Sequence, residues 1–100
     1  MNMRLPIEHE LLPRFCRRHR IRRLSLFGSV LKGQASPDSD IDLLVEFEPG
    51  GAPGLMGLAG IEAELSALLG GRTVDLRTAE DLSPYFRDEI LRTAEEQYAA

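Results

Sequence analysis

The stretch that most constrains this sequence is residues 28–42, which joins two apolar runs. Gly28 and Ser29 end the first run, and Asp40 and Asp42 open the second. A glycine lets the backbone pass close to a ligand, and a serine at a helix start offers a hydroxyl and an N–H group to phosphate oxygens. Side chains along a strand repeat every two residues, so we expect Asp40 and Asp42 to point to the same face. Two carboxylates this close repel each other unless a cation lies between them, so the stretch indicates magnesium and nucleoside-triphosphate chemistry.

A third carboxylate stands farther along the chain, in the short apolar run Val74-Asp75-Leu76. If this run is a strand beside the one that begins near Asp40, Asp75 completes a cluster of three carboxylates. Such a cluster could hold two metal ions against the attacking and leaving oxygens of an in-line displacement. Lys32 could neutralise a triphosphate, although a surface cation is an equally good interpretation. Each motif alone has an ordinary explanation as a turn or a solvated pair, but their combination favours a nucleotide site.

The length of 100 residues predicts a single domain over residues 1–100, too small for a separate substrate domain. If the chain is an enzyme, part of its site is expected to come from a second copy or another protein. No apolar run approaches the ~20 residues of a membrane span. Glu8 and Glu10 stand where an export signal would be apolar, and the single Cys16 cannot form an internal disulfide. These features predict a cytoplasmic protein.

Charge is unevenly distributed. Residues 1–33 hold eight Arg and Lys against two Glu, whereas residues 34–100 hold four Arg against fourteen Asp and Glu. Six arginines fall within residues 14–23. This cluster is either a patch for phosphate, nucleic acid or an acidic partner, or a solvated helix face paired with the acidic remainder. The net charge of −4 makes a nucleic-acid partner unfavourable.

The periodicity of apolar residues predicts an α/β fold, a small mixed sheet flanked by helices in the order α-β-α-β-α-β-α. The predicted elements are helix 7–19, strand 22–28, a short helix 29–32, strand 40–48, helix 54–69, strand 73–76 and a last helix from Ser83. Pro13 is expected to separate the first turn of the first helix from the rest. The second long helix is expected to bury a leucine stripe that includes Leu55. The last helix is expected to bury Phe86, Ile90, Leu91, Ala94 and Tyr98.

These motifs resemble the minimal nucleotidyltransferase family of the DNA polymerase β superfamily. The family pattern is Gly-Ser, a short helix, a Gly, and then Ser-Asp-x-Asp leading into an apolar strand. Here it reads Leu26-Phe27-Gly28-Ser29-Val30-Leu31-Lys32-Gly33 and Asp38-Ser39-Asp40-Ile41-Asp42-Leu43-Leu44-Val45, with Val74-Asp75-Leu76 as the third carboxylate. The chain departs from the family at Val30 and Lys32, where members often carry arginine with its bidentate fork. The likeness covers nearly the whole chain and implies a polymerase-β-type nucleotidyltransferase fold in its minimal version.

By this resemblance, Gly28, Ser29 and Lys32 hold the triphosphate, Asp40 and Asp42 bind Mg²⁺, and Asp75 binds metal or accepts the proton of an attacking hydroxyl. The implied reaction transfers AMP from ATP and releases pyrophosphate. Family members of this size resemble antitoxins that are paired with an all-helical HEPN-domain RNase toxin and that adenylylate a tyrosine of the toxin. The chain is therefore predicted to be a protein adenylyltransferase, an antitoxin that uses ATP and two Mg²⁺ ions.

Three alternatives remain at this point. The chain could be an antitoxin that neutralises its toxin by binding alone. It could transfer a nucleotide to a small molecule, although few residues are left over to build a substrate pocket. It could also bind nucleic acid through the arginine cluster, which predicts an affinity that falls steeply with salt.

Overall fold

A four-stranded β-sheet with helices on both faces organises the described part of the chain, residues 5–28 and 40–100 of this computed structural model. The elements, in chain order, are α1 (Leu11–Arg18), β1 (Ile21–Phe27), β2 (Ile41–Phe47), α2 (Leu55–Leu68), β3 (Val74–Arg77), a 3₁₀ turn (Ala79–Asp81), α3 (Pro84–Thr93) and β4 (Glu95–Ala99). The predicted helix 29–32 and the loop that follows it lie outside the described residues. The predicted fold class, a small mixed sheet flanked by helices, is confirmed.

The strands lie in the order β3-β2-β1-β4. β1 runs antiparallel to β2 and to β4, whereas β2 and β3 are parallel. A parallel pair needs a long crossover connection, and α2 provides it between β2 and β3. The register sets Ile41 opposite Val74 and Asp42 opposite Asp75. The two strands that the carboxylate hypothesis required to be neighbours are therefore neighbours.

The main core lies between one face of the sheet and the helices α1 and α2. The sheet contributes Leu24, Leu26, Ile41, Leu43, Val45, Val74 and Leu76. The two helices contribute Leu12, Phe15, Cys16, Ile61 and Leu65. Because alternate residues of β2 and β3 enter this core, the residues between them face the other side of the sheet.

The opposite face carries a smaller core, whose buried residues are Phe27, Leu44 and Leu82. Ile90 of α3 and Ala94, the residue that follows α3, pack against this core and are half-buried. Phe86 and Leu91 are 59% and 46% exposed, so the prediction that they are buried is wrong. The reason is that Asp42 and Asp75 share this face of the sheet, which leaves α3 only a narrow apolar strip to cover.

The last helix ends earlier than predicted, and a fourth strand follows it. Ala94 takes extended dihedral angles, φ −61° and ψ 140°, and stops α3. The next five residues form β4 and pair with β1, with Leu24 opposite Tyr98 and Leu26 opposite Glu95. The prediction of Tyr98 on the helix is therefore wrong, although its side chain does pack against the main core. A strand forms here because it supplies hydrogen-bond partners to an edge of β1 that would otherwise be unpaired.

The helices α1 and α2 are shorter than the helices that the spacing of apolar residues predicted. α1 begins at Leu11, so Pro13 lies in its first turn, where a missing N–H group costs no helical hydrogen bond, and it does not break the helix. α2 buries Ile61 and Leu65 as predicted, but Leu55 is 88% exposed, so its place in the buried stripe is wrong. No helix within the described residues has the length and apolar character needed to cross a membrane.

Candidate functional site

The candidate site is built on the face of the sheet that carries the smaller core. Asp42 and Asp75 are register partners on the parallel strands β2 and β3. Their neighbours on either side are buried in the main core, so both carboxylates project from the opposite face. Parallel neighbours lie roughly 4.8 Å apart along the sheet, which places the two carboxylates side by side. Both side chains are partly exposed, so a ligand can approach them from solvent.

Gly28 follows the last residue of β1 and lies directly against Asp42. Its φ of +85° falls in the left-handed region, where an L-residue is strained. A methyl group built on Gly28 would lie 3.0 Å from Cγ and 3.1 Å from Cβ of Asp42, and closer still to the carboxylate oxygen Oδ2. Only glycine fits here, so the backbone that enters the predicted phosphate-binding turn passes against a carboxylate of the predicted metal site. This contact links the two sequence motifs in space.

Asp75 carries an ion pair that the sequence analysis missed. Nε and Nη2 of Arg77 each lie 3.2 Å from Oδ2 of Asp75. Asp75 and Arg77 are two residues apart on β3, so they project from the same face, and this spacing was the signal in the sequence. The side chains of Arg77 and Asp75 are 48% and 34% exposed, so the pair is accessible to solvent.

Asp40 is exposed and immediately precedes β2. Over residues 5–28 and 40–100, no group of three or more His, Cys, Asp or Glu side chains lies close enough together to hold a metal ion. The oxygen ligands of Asp40, Asp42 and Asp75 nevertheless suit Mg²⁺, which commonly binds one or two carboxylates and takes its other ligands from phosphates and water. The absence of a side chain at Gly28 lets the backbone lie against the carboxylate of Asp42. The metal site therefore stays a prediction, and the carboxylate oxygens present are of the type that Mg²⁺ binds.

Two predicted nucleotide-binding residues, Ser29 and Lys32, lie outside the described residues. The described residues do show an apolar cavity of about 170 Å³ beside Gly28, between the end of β1 and α3. Its lining residues are Phe27, Gly28, Phe86, Glu89, Ile90 and Thr93. Sequence reasoning had assigned Phe86 to the core, so the cavity was not foreseen.

Three of the six arginines of the cluster, all within the described residues, form ion pairs with acidic side chains. Arg18 forms an ion pair with Glu64 of α2. Arg23 lies 3.3 Å from Glu46 and from Glu96, on the strands to either side of β1. Arg22 lies 3.8 Å from Glu46, and Arg20 donates to a backbone carbonyl. These contacts support the interpretation of a solvated, ion-paired surface more than that of a nucleic-acid site.

Two titratable groups with shifted pKa values lie on the α1 side of the sheet, away from the candidate site. Burial raises the pKa of the Cys16 thiol to about 12, against the opposing charge of Arg17. Burial, followed by the positive charge of Arg18, lowers the pKa of His19. Glu64 lies 3.2 Å from the His19 ring, but it is already paired with Arg18 and does not reverse the shift.

Comparison with known proteins identifies the family. Residues 9–95 match the model of the nucleotidyltransferase domain family. The protein adenylyltransferase MntA of Thermococcus cleftensis is 40% identical over 72 residues, which cover 72% of this chain and 70% of that protein. The chain therefore belongs to the nucleotidyltransferase domain family, an enzyme family, as its motifs predicted.

Solved structures support the same assignment. A protein assigned as a minimal nucleotidyltransferase is 41% identical and superposes with a TM-score of 0.68 over 85% of this chain and 84% of that chain. A toxin–antitoxin structure with AMP-PNP shares the fold with a TM-score of 0.70 over 89% of this chain and 71% of that chain, at 19% identity. The fold is that of the minimal nucleotidyltransferases.

Proposed function

We propose that this protein transfers AMP from ATP to a tyrosine hydroxyl of a partner HEPN-domain RNase toxin, in a Mg²⁺-dependent reaction, and so acts as its antitoxin in the cytoplasm. The name of the Thermococcus relative supports transfer of AMP to a protein, and the toxin–antitoxin neighbour with AMP-PNP supports both the partner and the nucleotide. The observation that carries the proposal is the contact between Gly28 and Asp42, with Asp75 as the register partner of Asp42.

In the proposed reaction, the tyrosine oxygen attacks the α-phosphorus of ATP. The bond from this phosphorus to the bridging oxygen breaks, pyrophosphate leaves with the electron pair, and the hydroxyl proton passes to the carboxylate of Asp75. Gly28 and Ser29 would hold the triphosphate, with Lys32 supplying a positive charge. Asp40 and Asp42 would hold the metal, with Asp75 able to assist. Bound Mg²⁺ would supply charge neutralisation at the phosphates, and the protein's own contribution would be mainly positioning.

The second candidate is an antitoxin that silences its toxin by binding alone. Two observations favour it. Oδ2 of Asp75 is paired with Arg77, and the described residues contain no ready group of three metal-binding side chains. A chain with an unused site would still fold and could still bind a partner.

Intact-mass spectrometry separates the two candidates. The purified chain is incubated with the toxin, ATP and Mg²⁺, and both proteins are weighed. We expect the toxin to gain the mass of one or more AMP units, and we expect Asp42→Asn to abolish the gain while the complex still forms. Asp88→Asn is the matched control, because Asp88 is an exposed carboxylate on α3 with no hydrogen-bond or ion-pair partner among the described residues.

A stable complex in which the toxin keeps its mass and loses its RNase activity would establish the binding antitoxin instead. Replacing the toxin's acceptor tyrosine with phenylalanine then checks the residue. If the mass gain persists in that variant, the acceptor is a different residue.

A further inference from the structure

Arg77 is a charged residue beside the candidate metal site, and the proposed reaction gives it no role. It lies on β3 two residues beyond Asp75 and opposite Leu44 of β2. Its side chain is half exposed, and its guanidinium turns back toward Asp75 along the strand. Both Nε and Nη2 approach the same oxygen, Oδ2, at 3.2 Å. The guanidinium therefore places two nitrogens against a single carboxylate oxygen, and Nε donates a hydrogen bond to it.

The charge balance of the face explains why the pair forms. Asp42 and Asp75 are directly opposite each other on adjacent strands, and like charges in that arrangement destabilise a sheet. The guanidinium of Arg77 brings one positive charge to this pair of negative charges. Without bound metal, Arg77 therefore reduces the repulsion that a metal ion would otherwise remove.

The same contact sets up a competition. A divalent cation needs carboxylate oxygens, and Oδ2 of Asp75 is occupied by Arg77. The other oxygen, Oδ1, has no partner among the described residues. A cation that binds between Asp42 and Asp75 must either displace the guanidinium from Oδ2 or bind through Oδ1 next to a positive charge. In both cases Arg77 opposes binding.

We propose that Arg77 is a positioning residue that acts as the internal counter-ion of Asp75 and weakens the protein's affinity for a divalent cation at this face. The proposal rests on the proposed function, since it takes Asp42 and Asp75 as metal ligands. Arg77 keeps the metal-free protein stable and allows the cation to bind tightly only when further ligands, such as the phosphates of a nucleotide, arrive with it.

The test measures binding of Mn²⁺ to the nucleotide-free protein at constant ionic strength, from the electron paramagnetic resonance signal of the free ion. Mn²⁺ suits the oxygen ligands that bind Mg²⁺. We expect Arg77→Gln to tighten Mn²⁺ binding about three- to tenfold. Part of this gain comes from the loss of an exposed ion pair that competes for Asp75, and the rest comes from the removal of a positive charge near the cation. Arg92→Gln is the matched control, because Arg92 is an exposed arginine on α3 without an ion pair in the described residues, and its loss should leave the affinity unchanged.

Two further variants connect the effect to Asp75. Asp75→Asn should weaken Mn²⁺ binding, and adding Arg77→Gln to it should tighten binding less than the same change does in the parent protein, because the ion pair no longer exists and only the positive charge is removed. Arg77→Lys keeps the charge but carries it on a single nitrogen and lacks the planar guanidinium, so it should give an intermediate affinity. This variant also decides the question if Arg77→Gln does not fold.

The outcomes distinguish the inference from the proposed function. If Arg77→Gln binds Mn²⁺ no more tightly than Arg92→Gln while Asp75→Asn still weakens binding, the role of Arg77 is refuted and the metal site stands. If Asp42→Asn and Asp75→Asn both leave Mn²⁺ binding unchanged, the metal site itself is refuted, and the inference with it. A thermal melt supports the counter-ion role if added Mn²⁺ raises the melting temperature more in Arg77→Gln than in the parent protein.

Discussion

Substitution of Gly28 by alanine tests the contact between the phosphate-binding turn and the carboxylates. The substitution imposes two costs. An L-residue at φ +85° pays roughly 1–2 kcal/mol for the left-handed backbone. The new methyl group would also meet Asp42, with Cγ only 3.0 Å away, and overpacking of this kind costs typically about 1–3 kcal/mol. We therefore expect Gly28→Ala to lower the free energy of unfolding by about 2–5 kcal/mol in total.

Gly50→Ala is a matched control that isolates the second cost. Gly50 has a similar φ of +75°, but a methyl group built on it would meet nothing within 4 Å. This variant should therefore lose only the backbone cost of roughly 1–2 kcal/mol. The difference between the two variants, about 1–3 kcal/mol, measures the clash with Asp42. Urea unfolding monitored by circular dichroism gives both free energies, with the slope m checked for equality between variants.

A double variant makes the test specific to the carboxylate. Asp42→Ala removes Cγ and both oxygens, so Gly28→Ala should cost less in that background than in the parent chain, with a coupling free energy of about 0.5–3 kcal/mol. The reasoning is refuted if Gly28→Ala destabilises the protein no more than Gly50→Ala, or if the two effects add without coupling. Either result would mean that Gly28 and Asp42 are not in contact in solution.

Three other predictions concern the side chains of Glu62, Cys16 and His19. The Glu62 carboxylate accepts a hydrogen bond of 2.8 Å from the backbone N–H of Leu76 on the edge strand β3. Glu62→Ala should therefore lower the free energy of unfolding in urea by about 1–2 kcal/mol. An unchanged unfolding midpoint would show that water replaces the bond. Burial and a pKa of about 12 should make Cys16 unreactive toward iodoacetamide at pH 8 until the protein unfolds, and rapid labelling of the native state would contradict this. The pKa of His19 is lower in the folded protein than its ordinary value of 6.5. When the pH drops below about 6.5, His19 therefore takes up a proton more readily in the unfolded chain than in the folded protein, and the free energy of unfolding should fall. His19→Gln should reduce that fall, and an identical pH dependence in the variant would refute the assignment.

The sequence predicted the face of the sheet that Asp42 and Asp75 share, because local rules determine it. Alternation along the strands fixes which face Asp42 and Asp75 occupy, and each lies in an apolar run that reads as a strand. Whether β2 and β3 are neighbours, with Asp42 opposite Asp75, depends on tertiary structure, so the sequence analysis could only assume it. The structure confirms this assumption. The same alternation rule could have placed Arg77 on the face of Asp75, since the two are two residues apart on β3. The ion pair itself depends on the side-chain rotamer of Arg77, which the sequence does not determine.

The elements that were mispredicted depend on long-range contacts. The apolar spacing of residues 95–99 continues a helical pattern. These residues form a strand instead because the edge of β1, far away in the sequence, is available for pairing. Periodicity gives the direction in which Leu55 and Phe86 project from their helices, but not how much apolar surface lies beneath them. Both positions are therefore exposed although their spacing is that of a buried stripe.

The pairing of β4 with β1 has a consequence for how the molecule assembles during synthesis. β1 lies between β2 and β4, and a hydrogen bond of 2.9 Å joins Leu5 to Gln97, 92 residues apart in sequence. Such distant contacts close late, because the entropy of a long loop must be overcome before they contribute. We expect a nascent chain that has not yet released residues 95–99 from the ribosome to hold β1 with one edge unpaired. The strand that leads into Gly28 would then be among the last parts of the sheet to become rigid.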